Sequence, residues 1–250
     1  QRIRYYCALA EVSHHLGKLD ESMEALDRGF ELLQLELRVD ETTEMLEESA
    51  GNLHYLRGLV YQTRGEWSLA VMAFRESYSR FSDSGAAPFE RVGVQARLAW
   101  NLLRMEKYLE AKAICEPIIA RYEHIEINDS KMADGLARHY DTVGRIDFIE
   151  GRYEAAEKTY RKAKELRQVG GNIALLAHSD GNLAGVAAML GDWAGSAFAF
   201  ESVEALWKTL GDVRMSTIGA LNYSECMIEL AGRAENDEEK ADYLSKARER

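Results

Sequence analysis

Proline is nearly absent: two residues, Pro88 and Pro117, in a chain of 250. A loop-rich β-sandwich of this length would carry more turn-forming prolines, so the scarcity suits a helical protein. Cysteine is scarce too. Cys7, Cys115 and Cys226 lie more than 100 residues apart, with no CxxC pair. That excludes a dense disulfide framework and the common zinc signatures, and places the chain in a reducing cytoplasm with its cysteines in the core. Basic surplus is lacking: 31 Lys and Arg stand against 42 Asp and Glu, a net charge of −11. Direct nucleic-acid binding ordinarily needs the opposite sign. No apolar run approaches a membrane span, since the softest stretch, Ile173–Leu190, carries His178, Asp180 and Asn182.

Catalytic signatures are missing as well. There is no GxxxxGK[ST] phosphate loop, no HExxH and no GxSxG. His14 and His15 are adjacent, so on a helix they point about 100° apart and do not converge on a metal. Asp134, Asp141 and Asp147 share one broad helix face; a solvated or ion-paired face explains them better than paired acid–base carboxylates. No cofactor, metal or catalytic residue is expected.

What is present is a repeat. Gly17-Lys18-Leu19, Gly65-Glu66-Trp67, Glu106-Lys107-Tyr108, Gly151-Arg152-Tyr153 and Gly191-Asp192-Trp193 share one form, with third residues 48, 41, 45 and 40 positions apart. Seven residues before each triplet lies a small side chain: Ala10, Gly58, Ala99, Gly144, Ala184. Three residues beyond each lies another: Ser22, Ala70, Ala111, Ala156, Ser196. Four residues further the side chain is larger: Leu26, Phe74, Cys115, Tyr160, Phe200. Ser224 and Ala247 mark a sixth copy, with its turn in Gly232–Asp237. Two antiparallel helices account for this spacing. The small residues let them cross closely, the larger residue fills the space beside the crossing, and the glycine ends the first helix in a left-handed cap. Apolar residues at i, i+3, i+4 and i+7 support both helices. A local kink is expected at Pro117.

The pattern resembles the tetratricopeptide repeat. Its period is longer than the usual 34 residues, and the customary closing proline is missing; such long repeats are similar to those of kinesin light chains and of the sensor domains of maltose-regulator-type signalling ATPases. The resemblance implies an all-α, right-handed superhelical solenoid of about six helix-turn-helix repeats, approximately 3–48, 49–88, 89–131, 132–171, 172–212 and 213–250. The chain opens without Met and closes in mid-pattern, so it reads as part of a longer protein.

In such arrays the first helices line a concave groove. Relative to the first small position of each repeat, residues at −6, −3, −2, +1, +4 and +5 face it. Carried over by this register, the groove holds Asn52, Tyr55, Arg97, Trp100, Arg104, Arg138, Asp141, Arg145, His178, Asn182, Asn222 and Glu225. Four arginines (97, 104, 138, 145) fall beside Trp100. They suit an acidic peptide or a small anionic effector; alternatively they pair with Glu106, Asp141 or Asp147 and only hold helices together. Asn182 and Asn222 occupy equivalent places and could clamp a peptide main chain. A chaperone-tail clamp is not assembled, since its lysine and asparagine places hold Cys7 with Glu11, Tyr55 with Leu59, and Ala96 with Trp100. The expected function is therefore a non-catalytic protein-, peptide- or effector-binding module, the regulatory or sensor region of a larger cytosolic signalling or transcription-regulating protein. The alternatives are an enzyme fragment, or a scaffold that associates through the solenoid ends.

Overall fold

The computed structural model describes residues 1–39 and 43–249. Residues 40–42, inside the first expected repeat, and Arg250, at the end of the sixth, lie outside the described residues. Among the described residues there are twelve helices and no strand. They are α1 (Arg2–His15), α2 (Leu19–Val39), α3 (Glu44–Arg64), α4 (Trp67–Asp83), α5 (Pro88–Arg104), α6 (Tyr108–Tyr122), α7 (Ser130–Ile149), α8 (Tyr153–Gly170), α9 (Ile173–Met189), α10 (Trp193–Thr209), α11 (Val213–Arg233) and α12 (Asp237–Arg248). The chain falls into two compact units, Gln1–Glu126 with α1–α6 and Ile127–Arg250 with α7–α12.

Each turn between paired helices follows from backbone chemistry. Gly17, Gly65, Gly151 and Gly191 take φ of 74°, 77°, 75° and 98°, a region a Cβ disfavours. Glu106 adopts φ 60° at the equivalent place, the one non-glycine with positive φ among the described residues. The sixth turn falls within the expected Gly232–Asp237 but is built differently. Gly232 stays inside α11, and the chain breaks at extended Ala234. Asn236 then starts α12 by accepting from the Glu239 amide at 2.9 Å, while Glu239 accepts from the Glu235 amide at 3.0 Å. A side-chain cap ends the pair there in place of a left-handed glycine. Pro117 lies within α6, which continues past it to Tyr122. Side chains also start several first helices: Thr43, Asp129, Asn172 and Asp212 accept from amides three residues on.

The small positions are where the helices meet. Ser22, Ala70, Ala111, Ala156 and Ser196 are all fully buried. In the first pair the Ser22 hydroxyl donates to the Ala10 carbonyl at 2.8 Å, and in the fifth Ser196 donates to Ala184 at 2.7 Å. These bonds join the first small position to the second directly. In the sixth pair the direction reverses, Ser224 donating to the Ala247 carbonyl at 3.1 Å. Leu26, Phe74, Cys115, Tyr160 and Phe200 are buried beside the crossings. A Cβ built on Gly58 would come 2.7 Å from the Phe74 ring, and one on Gly144 2.9 Å from Tyr160. Glycine in those two pairs is thus the counterpart of a ring lying on the helix backbone.

One titration in the first unit sets a pH dependence. His54 stacks edge-on against Phe30 at 4.8 Å. Burial pushes its imidazole down to about 4; Glu76 opposes this, and Arg57 and Arg80 add to it. The unfolded imidazole titrates near 6.5. Below that pH the unfolded state takes the proton first, so the stability His54 contributes is complete above pH 6.5 and is lost as pH falls towards 4. Melting temperatures of the wild type and His54→Gln should therefore converge over that window. Parallel curves from pH 7 to 4 would contradict the assignment.

Candidate functional site

The expected groove residues divide between the two units. In the first, the Asn52 amide donates to the Glu48 carbonyl at 3.1 Å, within its own helix. Tyr55 packs into the core, its ring 5.8 Å from that of Phe74. Arg97 and Trp100 are half-buried on α5. Arg104 is exposed and lies 5.1 Å over the Trp67 ring, so its aromatic neighbour is Trp67.

In the second unit, Asp141 does not face an open groove. It is 7% exposed and accepts from both terminal guanidinium nitrogens of Arg167, itself 4% exposed. Arg167 also donates to the Ser179 hydroxyl at 2.7 Å. This buried cluster ties α7, α8 and α9 together. An unpaired carboxylate there would be costly, so the helix that supplies Arg167 decides where Asp141 points. Arg138 bonds Asp134 one turn away at 2.9 Å, and Asp147 pairs with Arg152. All three carboxylates of the candidate acid–base face are thus held by arginines, the arrangement of an ion-paired face.

Five of the expected residues do come together. Arg145, His178, Asn182, Asn222 and Glu225 line one cavity of about 520 Å³. Its walls are α9 and α11, its floor is α10, and the end of α7 contributes Arg145 and Phe148. Burial keeps the His178 imidazole below its ordinary value; Asp141 opposes this and Arg167 and Arg138 reinforce it. The Asn182 amide nitrogen lies 3.3 Å from His178 Nδ1, as fits donation to a neutral ring, which leaves the Asn182 carbonyl oxygen available to another donor. The Asn222 carboxamide makes no hydrogen bond to any described residue. Arg145 lies 5.4 Å over Phe148 and supplies one cation, and Glu225 supplies one carboxylate. Burial raises the Cys226 thiol, which donates to Ser196, so the sulfur on the α11 wall is a packed thiol and no ready nucleophile.

The apolar lining was not named by the sequence register: Phe148, Met189, Trp193, Trp207, Met215 and Ile218. Phe148, Met189 and Ile218 stand at +4, +5 and −6, so the register could have found them. Trp193 and Trp207 lie on α10, a second helix, which a rule for first helices does not reach. Gly181 and Gly185 also line the cavity, at −3 and +1. Among the described residues no group of three His, Cys, Asp or Glu could hold a metal ion, and no helix is long and apolar enough to cross a membrane.

Comparison with known proteins agrees with this fold. No curated protein matches the sequence. A family model, the tetratricopeptide repeat, matches residues 3–32 and 138–169. A Rap protein complexed with competence and sporulation factor superposes with a TM-score of 0.70 at 12% identity, over 98% of this chain and 66% of that one. A signal transduction ATPase with numerous domains from Pyrococcus horikoshii, which carries a tetratricopeptide repeat sensor, gives 0.66 at 14% identity, over 96% of this chain and 34% of that one. A kinesin light chain-type protein of nearly identical TPR-like repeats from Podosopora anserina gives 0.56 at 15% identity, over 84% and 96%. This chain therefore spans about a third of the ATPase and just under two thirds of the complexed Rap protein, and at these identities the likeness is one of fold. The tetratricopeptide-repeat model thus matches the first and fourth helix pairs, and along the rest the chain has the fold of the tetratricopeptide-repeat structures it resembles.

Proposed function

We propose that this chain is a non-catalytic binding module and that the α9–α11 groove of its second unit holds a peptide or a partner segment. The observation that carries the reading is the pair of asparagines on facing walls, Asn182 with a free carbonyl oxygen and Asn222 with a free carboxamide. An amide both donates and accepts, as a peptide bond does, so two of them can fix a main chain without reading its side chains. The Rap protein solved with competence and sporulation factor, and another solved with the Phr* peptide, lend support from the same fold. Such a module serves as the sensor or regulatory region of a larger cytosolic signalling protein. An acidic group on the partner would seat at Arg145; Arg138 is engaged by Asp134.

Panning the purified chain against a random linear heptapeptide library, followed by isothermal titration of the recovered peptides, tests this. Asn222→Ala should weaken them about tenfold, the loss of one to two hydrogen bonds of about 0.5–1.5 kcal/mol each, at unchanged melting temperature. Undiminished affinity in that variant would overturn the reading.

A second route rests on α1. Tyr5, Leu9, Val12 and Leu16 are 63%, 40%, 55% and 68% exposed and recur at i, i+4, i+7 and i+11, a stripe suited to self-association. Sedimentation that shows a monomer at all concentrations would remove it.

A further inference from the structure

We infer that Gly181 and Gly185 form a notch on α9 that receives the main chain of a peptide bound in extended form. The inference rests on the groove reading above and adds the conformation of the occupant and the point where its backbone passes.

The two glycines are one helical turn apart and share a face. Inside a helix glycine is less stable than alanine, so each needs a reason. Gly58 and Gly144 have one, because a Cβ would strike Phe74 or Tyr160. Gly181 and Gly185 do not. A Cβ on Gly181 would make an ordinary contact with Val203 at 3.9 Å, and one on Gly185 would meet nothing within 4 Å. Nothing in the fold of the second unit calls for glycine there. At the same two register positions other first helices carry Tyr55 and Asp141, or Trp100, Arg145 and Glu225. Repeat five alone clears both, and both line the groove.

Removing a Cβ lets another backbone come close. Two unused polar groups say which kind. The Trp207 side chain is 7% exposed, lines the groove floor, and its indole N–H has no hydrogen-bond partner among the described residues. The Asn222 carboxamide on α11 is likewise unengaged. A helix laid in the groove has satisfied its own N–H and C=O groups and would leave both without partners. An extended chain brings one carbonyl and one N–H per residue, and so can meet the indole and the two amides together. From Trp193 to Trp207 the floor runs about 20 Å at 1.5 Å per helical residue, which matches about six extended residues at 3.3 Å each. Phe148, Met189, Met215 and Ile218 line the walls, so the segment carries apolar side chains on either side of the notch.

The probes are the heptapeptides recovered on the wild-type chain, resynthesised unmodified and with a single N-methyl at each main-chain amide in turn. Gly185→Ala and Gly181→Ala should melt at or above the wild-type temperature and bind the unmodified peptides at least tenfold more weakly. One or two central N-methyl groups should weaken binding to the wild type by a similar factor. Peptides that lose affinity for Asn222→Ala yet bind both glycine variants as they bind the wild type would overturn the notch and leave the groove reading standing. So would a lower melting temperature in both variants, which would make the glycines structural. Helical peptides indifferent to N-methylation would overturn the extended form. Recovery of no binding peptide would overturn notch and groove together.

Discussion

Asp141→Ala should destabilise the second unit by about 3–5 kcal/mol, the range seen when one partner of a buried ion pair is removed. The reason is what remains behind. Arg167 is 4% exposed, and its remaining acceptor among the described residues would be the Ser179 hydroxyl. A guanidinium cannot shed its proton to escape the low-dielectric interior, so its charge would stay buried and uncompensated. The cluster also spans three consecutive helices, α7, α8 and α9, and the loss is therefore felt at the interface between adjoining helix pairs, the unit of stability in a repeat array. Replacing both partners, Asp141→Leu with Arg167→Met, should recover most of the loss, because a packed apolar pair removes two desolvation costs at once. Urea denaturation followed by circular dichroism measures both. A change below about 1 kcal/mol in the single variant would show that Arg167 finds solvent or another acceptor.

The second large effect concerns Phe74. Its side chain is fully buried on α4 and its ring covers Gly58 on α3. Phe74→Ala should cost about 3–5 kcal/mol through lost burial and the cavity left behind. Gly58→Ala should cost about 1–3 kcal/mol for the opposite reason, since its Cβ would stand 2.7 Å from the ring. In the Phe74→Ala background that penalty should largely vanish, because the atoms that clash are gone. The double variant should thus be more stable than the sum of the two losses by about 1 kcal/mol or more. Strict additivity would mean that the ring does not lie on the glycine.

The helix pairs were legible because their cause is local and recurs. A close crossing needs a small residue at a set distance from the turn, and a left-handed cap needs glycine or tolerates a strained residue. Ala10 and Ser22, or Ala184 and Ser196, could be matched in register before any contact was known, and the serine-to-carbonyl bonds show why the spacing holds. Glu106 was placed at a turn by register alone, although it lacks the glycine that marks the other four. The sixth turn lay within the expected Gly232–Asp237, but Gly232 itself stays in α11, because a glycine near a turn is not a cap unless the chain needs one there. Asn236, with Glu239 three residues on, supplied the alternative.

The groove was legible only in part. Register along a single helix predicts which residues share a face, and so Asn182 and Asn222 were found. It carries no information on which charges meet across helices. By sequence alone Asp141 was as open to the groove as Arg145; the packing of α8 against α7 places Arg167 beside it and turns it into an interior group. Nor does composition distinguish Gly144, which a ring demands, from Gly185, which nothing in the described fold demands. What the sequence by itself determined was the architecture, an all-helical array of paired helices without strands, because periodicity, small crossings and caps act within some twenty residues. Which polar groups are spent inside the fold and which stay available in the groove was decided by tertiary structure alone, because burial and pairing depend on neighbours that the chain brings together from distant repeats.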